Sequence, residues 1–242
     1  VFTNLDNMLY SRSRLDVQFT HDRGFSKLVI DCYLWQIWRF NKELVVKIIC
    51  LTGGLASGKS TAVRYLEDKG AHIIDADILG HRAYEPGTGA HRSVIEAFGE
   101  DVRSPGDQID RKALGGKVFG KPDQLKKLTD IVWPEIRRLA EKEIEKVQTT
   151  QPNKIVVLEA AVLFEAGWED IGDEVWVISV DRETAIRRSM ERDSAPREAV
   201  ESRLDSQLSN EERANKADLI IYNDKAEAAL FSQLDTAWEA IQ

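Results

Sequence analysis

The octapeptide Gly-Gly-Leu-Ala-Ser-Gly-Lys-Ser at residues 53–60 places the strictest limit on what this chain can fold into, because it satisfies G-x-x-x-x-G-K-[ST] at Gly53, Gly58, Lys59 and Ser60. The pattern carries physical meaning only between a strand and a helix. There, glycines let backbone N–H groups converge on phosphate oxygens, and the helix turns its positive end toward them. Both flanks have that character: residues 45–51 form a mostly apolar run, and a helical stretch begins near Lys59 and ends at Gly70. In this setting Lys59 is expected to reach the β- and γ-phosphates of a nucleotide, and the Ser60 hydroxyl to ligate magnesium.

Further short apolar runs, at residues 71–74, 155–158, 175–180 and 219–222, alternate with helical segments. Such alternation predicts an α/β fold with a parallel five-stranded sheet buried on both faces, whose ligands collect at the carboxyl ends of the strands. Functional side chains should therefore follow strands. About eighty residues separate the second and third runs, far more than a simple crossover needs. Residues 76–151 are read as a helical substrate-binding insertion, and the polar, arginine-rich residues 193–216 as a lid. Residues 1–44 have no strong period. They are read as an extension of uncertain structure, with a short helix around residues 34–40 and no chemistry.

Charge excludes some partners. With 33 Lys and Arg against 41 Asp and Glu, the net charge of −8 argues against a general nucleic-acid or membrane-surface binder. Any anionic ligand must be met by local positive charge. No apolar run approaches the roughly 20 residues of a membrane span. Cys50 lies within the first apolar run and reads as a buried strand residue; with Cys32 it forms no metal-ligand spacing, which suits a reducing, cytoplasmic compartment. The opening residues lack a secretory leader's apolar core, and mixed charges there argue against a transit peptide.

A phosphate-binding loop alone does not separate ATPases, GTPases and kinases. Asp77 to Gly80 matches the guanine-type D-x-x-G and Asn215 to Asp218 matches N-K-x-D, yet both fail on context. Only 17 residues lie between Lys59 and Asp77, too few for a helix, a switch loop and another strand. Asn215-Lys216 precedes an apolar run instead of following one. Asp75-Ala-Asp77 comes directly after the second run, where a carboxylate could position an acceptor hydroxyl and take its proton, or could simply cap the next helix. Asp77 is the candidate base. Glu159 ends the third run, either as an acid supporting magnesium or as a more distant polar residue.

Between residues 182 and 213 stand seven arginines (Arg182, Arg187, Arg188, Arg192, Arg197, Arg203 and Arg213) and no lysine. Planar guanidinium forks suit bidentate phosphate contacts, and some of these arginines will only pair with neighbouring glutamates on a solvated face. Arg192, in Glu191-Arg192-Asp193, is the one expected to matter. His21, His72, His81 and His91 show no ligand spacing. Trp133-Pro134 and Trp168 are expected to pack the insertion, with Pro134 kinking or starting a helix.

From about residue 48 onward these segments resemble the dephospho-coenzyme A kinases. The resemblance rests on Leu51-Thr-Gly-Gly-Leu-Ala-Ser-Gly-Lys-Ser-Thr61, Asp75-Ala-Asp77, Pro86-Gly87, Phe98-Gly99, Asp110-Arg111 with Leu114 and Phe119, Glu191-Arg192-Asp193, and Ala217-Asp218 leading to Asn223, in family order. It implies a P-loop kinase core with a helical coenzyme A-binding domain and a lid, acting in residues 45–242 on ATP, magnesium and dephospho-CoA. By the same resemblance, Gly53, Gly54, Leu55, Ala56, Ser57, Gly58, Lys59, Ser60, Thr61 and Asn223 hold ATP; Asp77, Lys59 and Arg192 are catalytic; Asp77, His81, Arg82 and Arg111 meet the acceptor; and Ser60 and Glu159 serve the metal. Two positions depart from the bacterial pattern: Trp133-Pro134 stands where a His-Pro pair is usual, and His81-Arg82 where an arginine often follows the Asp-x-Asp segment. Those residues, with 81–84 and 159–168, look like the kinase half of the animal bifunctional CoA synthases. That likeness implies a fused or separate adenylyltransferase partner and a mitochondrial association.

Overall fold

A parallel ladder favours strands buried on both faces, and the apolar runs supply five strands, the three central ones buried nearly throughout and the two at the edges only in part. The computed structural model describes residues 47–242. The extension expected over residues 1–44, with its helix at 34–40 and Cys32, lies outside the described residues. The strands are β1 (Ile48–Gly53), β2 (His72–Asp75), β3 (Val156–Glu159), β4 (Glu174–Ser179) and β5 (Leu219–Tyr222). All pair in parallel in the order β2-β3-β1-β4-β5. Four of them run past their last apolar residue, to Gly53, Asp75, Glu159 and Ser179. The ladder therefore sets Asp75 level with Glu159, and Glu159 level with Leu51, at the carboxyl edge of the sheet.

Successive strand residues point to opposite faces, and the core divides accordingly. Ile49, Leu51, Trp176, Ile178 and Ile221 face α1 (Lys59–Asp68) and α9 (Glu227–Ala240), packing on Ala62, Leu66, Leu230, Leu234 and Trp238. Ile48, Cys50, Ile74, Val156 and Leu158 face the other way, where α2 (Ala76–Ala83), α3 (Gly89–Phe98), α4 (Arg111–Val118) and α5 (Pro122–Thr150) cover them. Leu79, Val94, Phe98, Leu114 and Ile136 belong to that same cluster. The helices of residues 76–151 thus form the second outer layer of the sheet and share its core.

Helix α5 buries Val132, Ile136, Ala140, Ile144 and Val147, a stripe at intervals of four, four, four and three residues. Its 29 residues extend about 43 Å. The helix runs through Pro134, so of the two expectations for this proline, kinking a helix or starting one, the second is corrected. Trp133 meets Trp168 edge to face, with ring centroids 6.4 Å apart and planes at 69°.

Residues 193–216 hold α7 (Arg197–Asp205) and α8 (Asn210–Ala214), entered from α6 (Arg182–Asp193). Their apolar support is a small cluster of Leu55, Ile186 and Val200, flanked by Met190, Ala195 and Leu204. Cys50 is fully buried in β1, where desolvation pushes its thiol up to about 12, so it is inert packing as read from the sequence. No described helix is long and apolar enough to cross a membrane.

Candidate active site

The phosphate loop takes its shape from backbone geometry that few residues tolerate. Gly58 has φ +94°, in the left-handed region, and a Cβ there would collide with Nδ2 of Asn223. Ala56 also has positive φ, at 55°. The Ser57 N–H donates to Gly54 O at 3.2 Å, Lys59 Nζ to Gly53 O at 3.1 Å, and Leu55 N–H to Gln207 Oε1 at 3.1 Å. The first N–H groups of α1, from Lys59 and Ser60, lack intrahelical acceptors and open toward the loop. Ser60 is exposed at the second position of that helix. Ser57 Oγ and Thr52 Oγ1 are buried with no hydrogen-bond partner among the described residues, as polar atoms beside an anion cradle would be before the anion arrives.

Asn223 is buried under the loop, and its Nδ2 donates to Ser57 O at 2.8 Å. The structure therefore places it as a brace beneath the cradle, with its amide committed to the loop backbone.

At the end of β2, Asp75 and Asp77 divide their roles. Asp75 caps α2, its Oδ1 accepting from Asp77 N–H at 2.7 Å and Ile78 N–H at 3.1 Å. Asp77 sits exposed in the first turn of α2, and its carboxylate makes no hydrogen bond among the described residues. The cap reading belongs to Asp75, leaving Asp77 available.

Electrostatics tie these groups together. Burial pushes the Lys59 ammonium below its ordinary value; Glu159 and Asp77 oppose that shift, while Arg213 and then Arg192 add to it. Burial raises the Glu159 carboxyl, Lys59 opposes, and Asp75 and Asp77 add. Lys59, Glu159 and Asp77 thus feel one another across the carboxyl ends of β1, β2 and β3. Repulsion and desolvation outweigh the Lys59 attraction at Glu159, as in a site built for a ligand cation. The exposed Ser60 hydroxyl and the Glu159 carboxyl are oxygen donors of the kind magnesium takes when one or two side chains hold it together with phosphates and water.

That imbalance at Glu159 predicts a gain in stability on removing its charge. A carboxyl whose folded pKa is raised supports the fold below its unfolded pKa and loses that support as pH rises through the folded value. Glu159→Gln in nucleotide-free protein is expected to raise Tm at pH 8 by about 2–4 °C, the shift that roughly 1 kcal/mol produces at this chain length. The gain should vanish near pH 4, and kcat should fall. Melting curves at the two pH values check it, and a lower Tm at pH 8 would reverse the sign assigned here.

The remaining sequence-predicted residues are spread out. Arg192 is exposed and doubly bonded to Asp193, Nε to Oδ1 at 2.7 Å and Nη2 to Oδ2 at 2.9 Å. Arg203 joins the same carboxylate at 3.0 Å, and together the arginines hold Asp193 well below the usual carboxylate range. His81 lies one turn beyond Asp77 on the same face of α2. Arg82 is about 140° further round the helix from Asp77, and it lines a groove along α5 with Leu139, Lys142, Glu143 and Lys146. The structure so separates a pair that the sequence read together. Arg111 is the exposed first residue of α4, behind the capping Asp110.

The guanine-type matches have structural employment. Asp77 to Gly80 are helical. Asp218 Oδ2 accepts from Val175 N–H at 2.8 Å, and Lys216 Nζ bonds Glu169 at 3.0 Å.

Two residues at the loop were missed as site residues in the sequence. Gln207, which holds Leu55, gave no signal. Arg213 stood among seven arginines with nothing to rank it above Arg192, yet it is buried and its charge weighs more on Lys59.

A phosphate loop at the carboxyl edge of a five-stranded parallel sheet, facing a free carboxylate and an arginine-rich segment, defines the class of P-loop kinases. The family model described as dephospho-CoA kinase matches residues 47–228. The dephospho-CoA kinase of Geobacter sulfurreducens is 45% identical over 193 residues, covering 80% of this chain and 98% of that protein. A crystal structure of a Thermus thermophilus protein superposes with a TM-score of 0.68 at 32% identity, covering 81% of this chain and 97% of that one. The dephospho-CoA kinase from Campylobacter jejuni does so at 0.56 and 27%, with the same two coverages. The chain belongs to the dephospho-CoA kinase family, whose members use ATP in the last step of coenzyme A biosynthesis.

Proposed function

We propose that this chain transfers the γ-phosphoryl group of ATP to the ribose 3′-hydroxyl of dephospho-CoA, giving CoA and ADP, with Asp77 as the base and Lys59 as the principal phosphate-binding cation. The observation that carries this reading is the division of labour at the end of β2: Asp75 is committed to the helix cap, while Asp77, within electrostatic reach of the half-buried Lys59, keeps its carboxylate unbonded among the described residues. Ser60, with Glu159 in support, would hold magnesium, which neutralises charge on the phosphates when bound. Arg192 would exchange Asp193 for phosphate as residues 193–216 close over ATP. The acceptor would lie along the exposed face of α2, past His81, toward α4 and Arg111.

The narrower likeness to the animal synthases is carried by Trp133-Pro134, residues 81–84 and residues 159–168. Trp133 and Trp168 pack against each other, which gives part of that likeness a packing reason. We propose the kinase activity alone for this chain, with any adenylyltransferase supplied as a fused or separate partner.

Incubation of the purified protein with Mg-ATP and dephospho-CoA should yield ADP and CoA in equal amounts, with little transfer to nucleoside monophosphates. A folded sample that binds ATP yet turns over no dephospho-CoA overturns the reading.

A further inference from the structure

Arg213 is 4% exposed. Its Nη1 donates to the Leu208 carbonyl, and no carboxylate of the described residues forms an ion pair with it; Glu165 and Glu212 act on it only as nearby charges. A buried cation without a paired anion is costly, and a guanidinium does not escape that cost by losing its proton at neutral pH. Four of the six neighbouring arginines differ. Arg182, Arg192, Arg197 and Arg203 are exposed and paired, with Asp205, Asp193, Glu183 and Asp193 respectively.

The location of the unpaired cation is specific. Nη1 lies 3.2 Å from where a side chain at Gly54 would begin, a contact tight enough that a side chain there would press the guanidinium back from the loop. Beside it, Gln207 fastens Leu55, and Gly54, Leu55, Val180, Gln207 and Arg213 line a cleft of about 250 Å³ at the loop's opening edge. Lys59 feels Arg213 more strongly than it feels Arg192, with Asp77 also in reach. A terminal phosphate reached by Lys59 therefore has a second cation close by, on the side of α8.

We propose that Arg213 is a further catalytic residue, its guanidinium contacting the γ-phosphate of ATP and balancing the charge that develops during transfer. This assignment rests on the phosphoryl transfer proposed above. In that step the bond from the γ-phosphorus to the β–γ bridging oxygen breaks as the bond to the ribose 3′-oxygen forms. The hydroxyl proton passes to Asp77, and ADP leaves with the bridging oxygen. Arg213 takes no proton; it stabilises the equatorial oxygens together with Lys59.

The test compares Arg213→Met and Arg213→Lys with wild type in Tm without ligand, in Kd for ATP and ADP with magnesium, and in kcat. The Met variant is expected to melt no lower than wild type, to bind ADP within about threefold of it, to lose roughly tenfold in ATP affinity, and to fall about 10²–10³-fold in kcat. The Lys variant should lie between the two. Should the Met variant not fold, the Lys variant still reports through its ratio of ATP to ADP affinity. Equal weakening of ATP and ADP, or an unchanged ratio with kcat retained, overturns the assignment and makes Arg213 a brace between α8 and the loop. The ATP/ADP comparison needs no acceptor, so an inactive wild type would refute the acceptor reading while leaving the Arg213 result legible.

Discussion

Lys59→Ala is expected to lower kcat with Mg-ATP and dephospho-CoA by about 10³-fold, the range in which a single fixed cation at transferring phosphate acts. The same variant should stay folded. In nucleotide-free protein, burial holds the Lys59 ammonium below its ordinary pKa, so the folded state disfavours the charge that the site needs. A lysine with a lowered folded pKa costs stability while both states are protonated, and that cost shrinks as pH rises from the folded value toward the unfolded one. Without ligand, the variant should therefore melt at or above wild type near neutral pH, with the difference narrowing in alkali. ATP should raise Tm in wild type and hardly at all in the variant. Retention of more than about a tenth of wild-type kcat would remove Lys59 from its assigned place.

Asp77→Asn should reduce kcat by roughly 10²–10³-fold with KM for both substrates little changed, the usual reach of a positioned base. The paired control is Asp75→Ala. Asp75 bonds two backbone N–H groups at the start of α2, so its loss should cost about 1 kcal/mol of stability. A kinetic defect in one variant and a thermal defect in the other would separate the two carboxylates. Full kcat in Asp77→Asn would transfer the base to another group, with Glu159 at the end of β3 the first to test.

The strands could be read from the sequence because a doubly buried strand must be apolar throughout, and the phosphate loop because its glycines answer a local steric demand. Glu159 and Asp75 were visible as residues, but their shared level on the sheet was not. Register arises from pairing between segments more than eighty residues apart. The continuity of α5 through Pro134 was hidden for a related reason: proline lacks an N–H and disfavours a helix locally, and the buried stripe from Val132 to Val147 outweighs that local cost. The arginines show the limit most clearly. Seven identical side chains in a helical run differ only in what the fold places around them, and burial singles out Arg213 while Asp193 occupies Arg192. Arg82 and His81, adjacent in sequence, face different surroundings because helical geometry turns neighbours apart.

The sharing of one core between the sheet and α2 to α5 fixes which half of the molecule can yield. Prising the acceptor side from the sheet would break a cluster reaching from Ile48 to Val177, whereas α7 rests on Val200 against Leu55 and Ile186. Local opening follows the weakest packing. On the proposed reading the acceptor side would be the anvil and residues 193–216 the latch, so that release of ADP would ask two small helices to yield and leave the layers of the sheet in place.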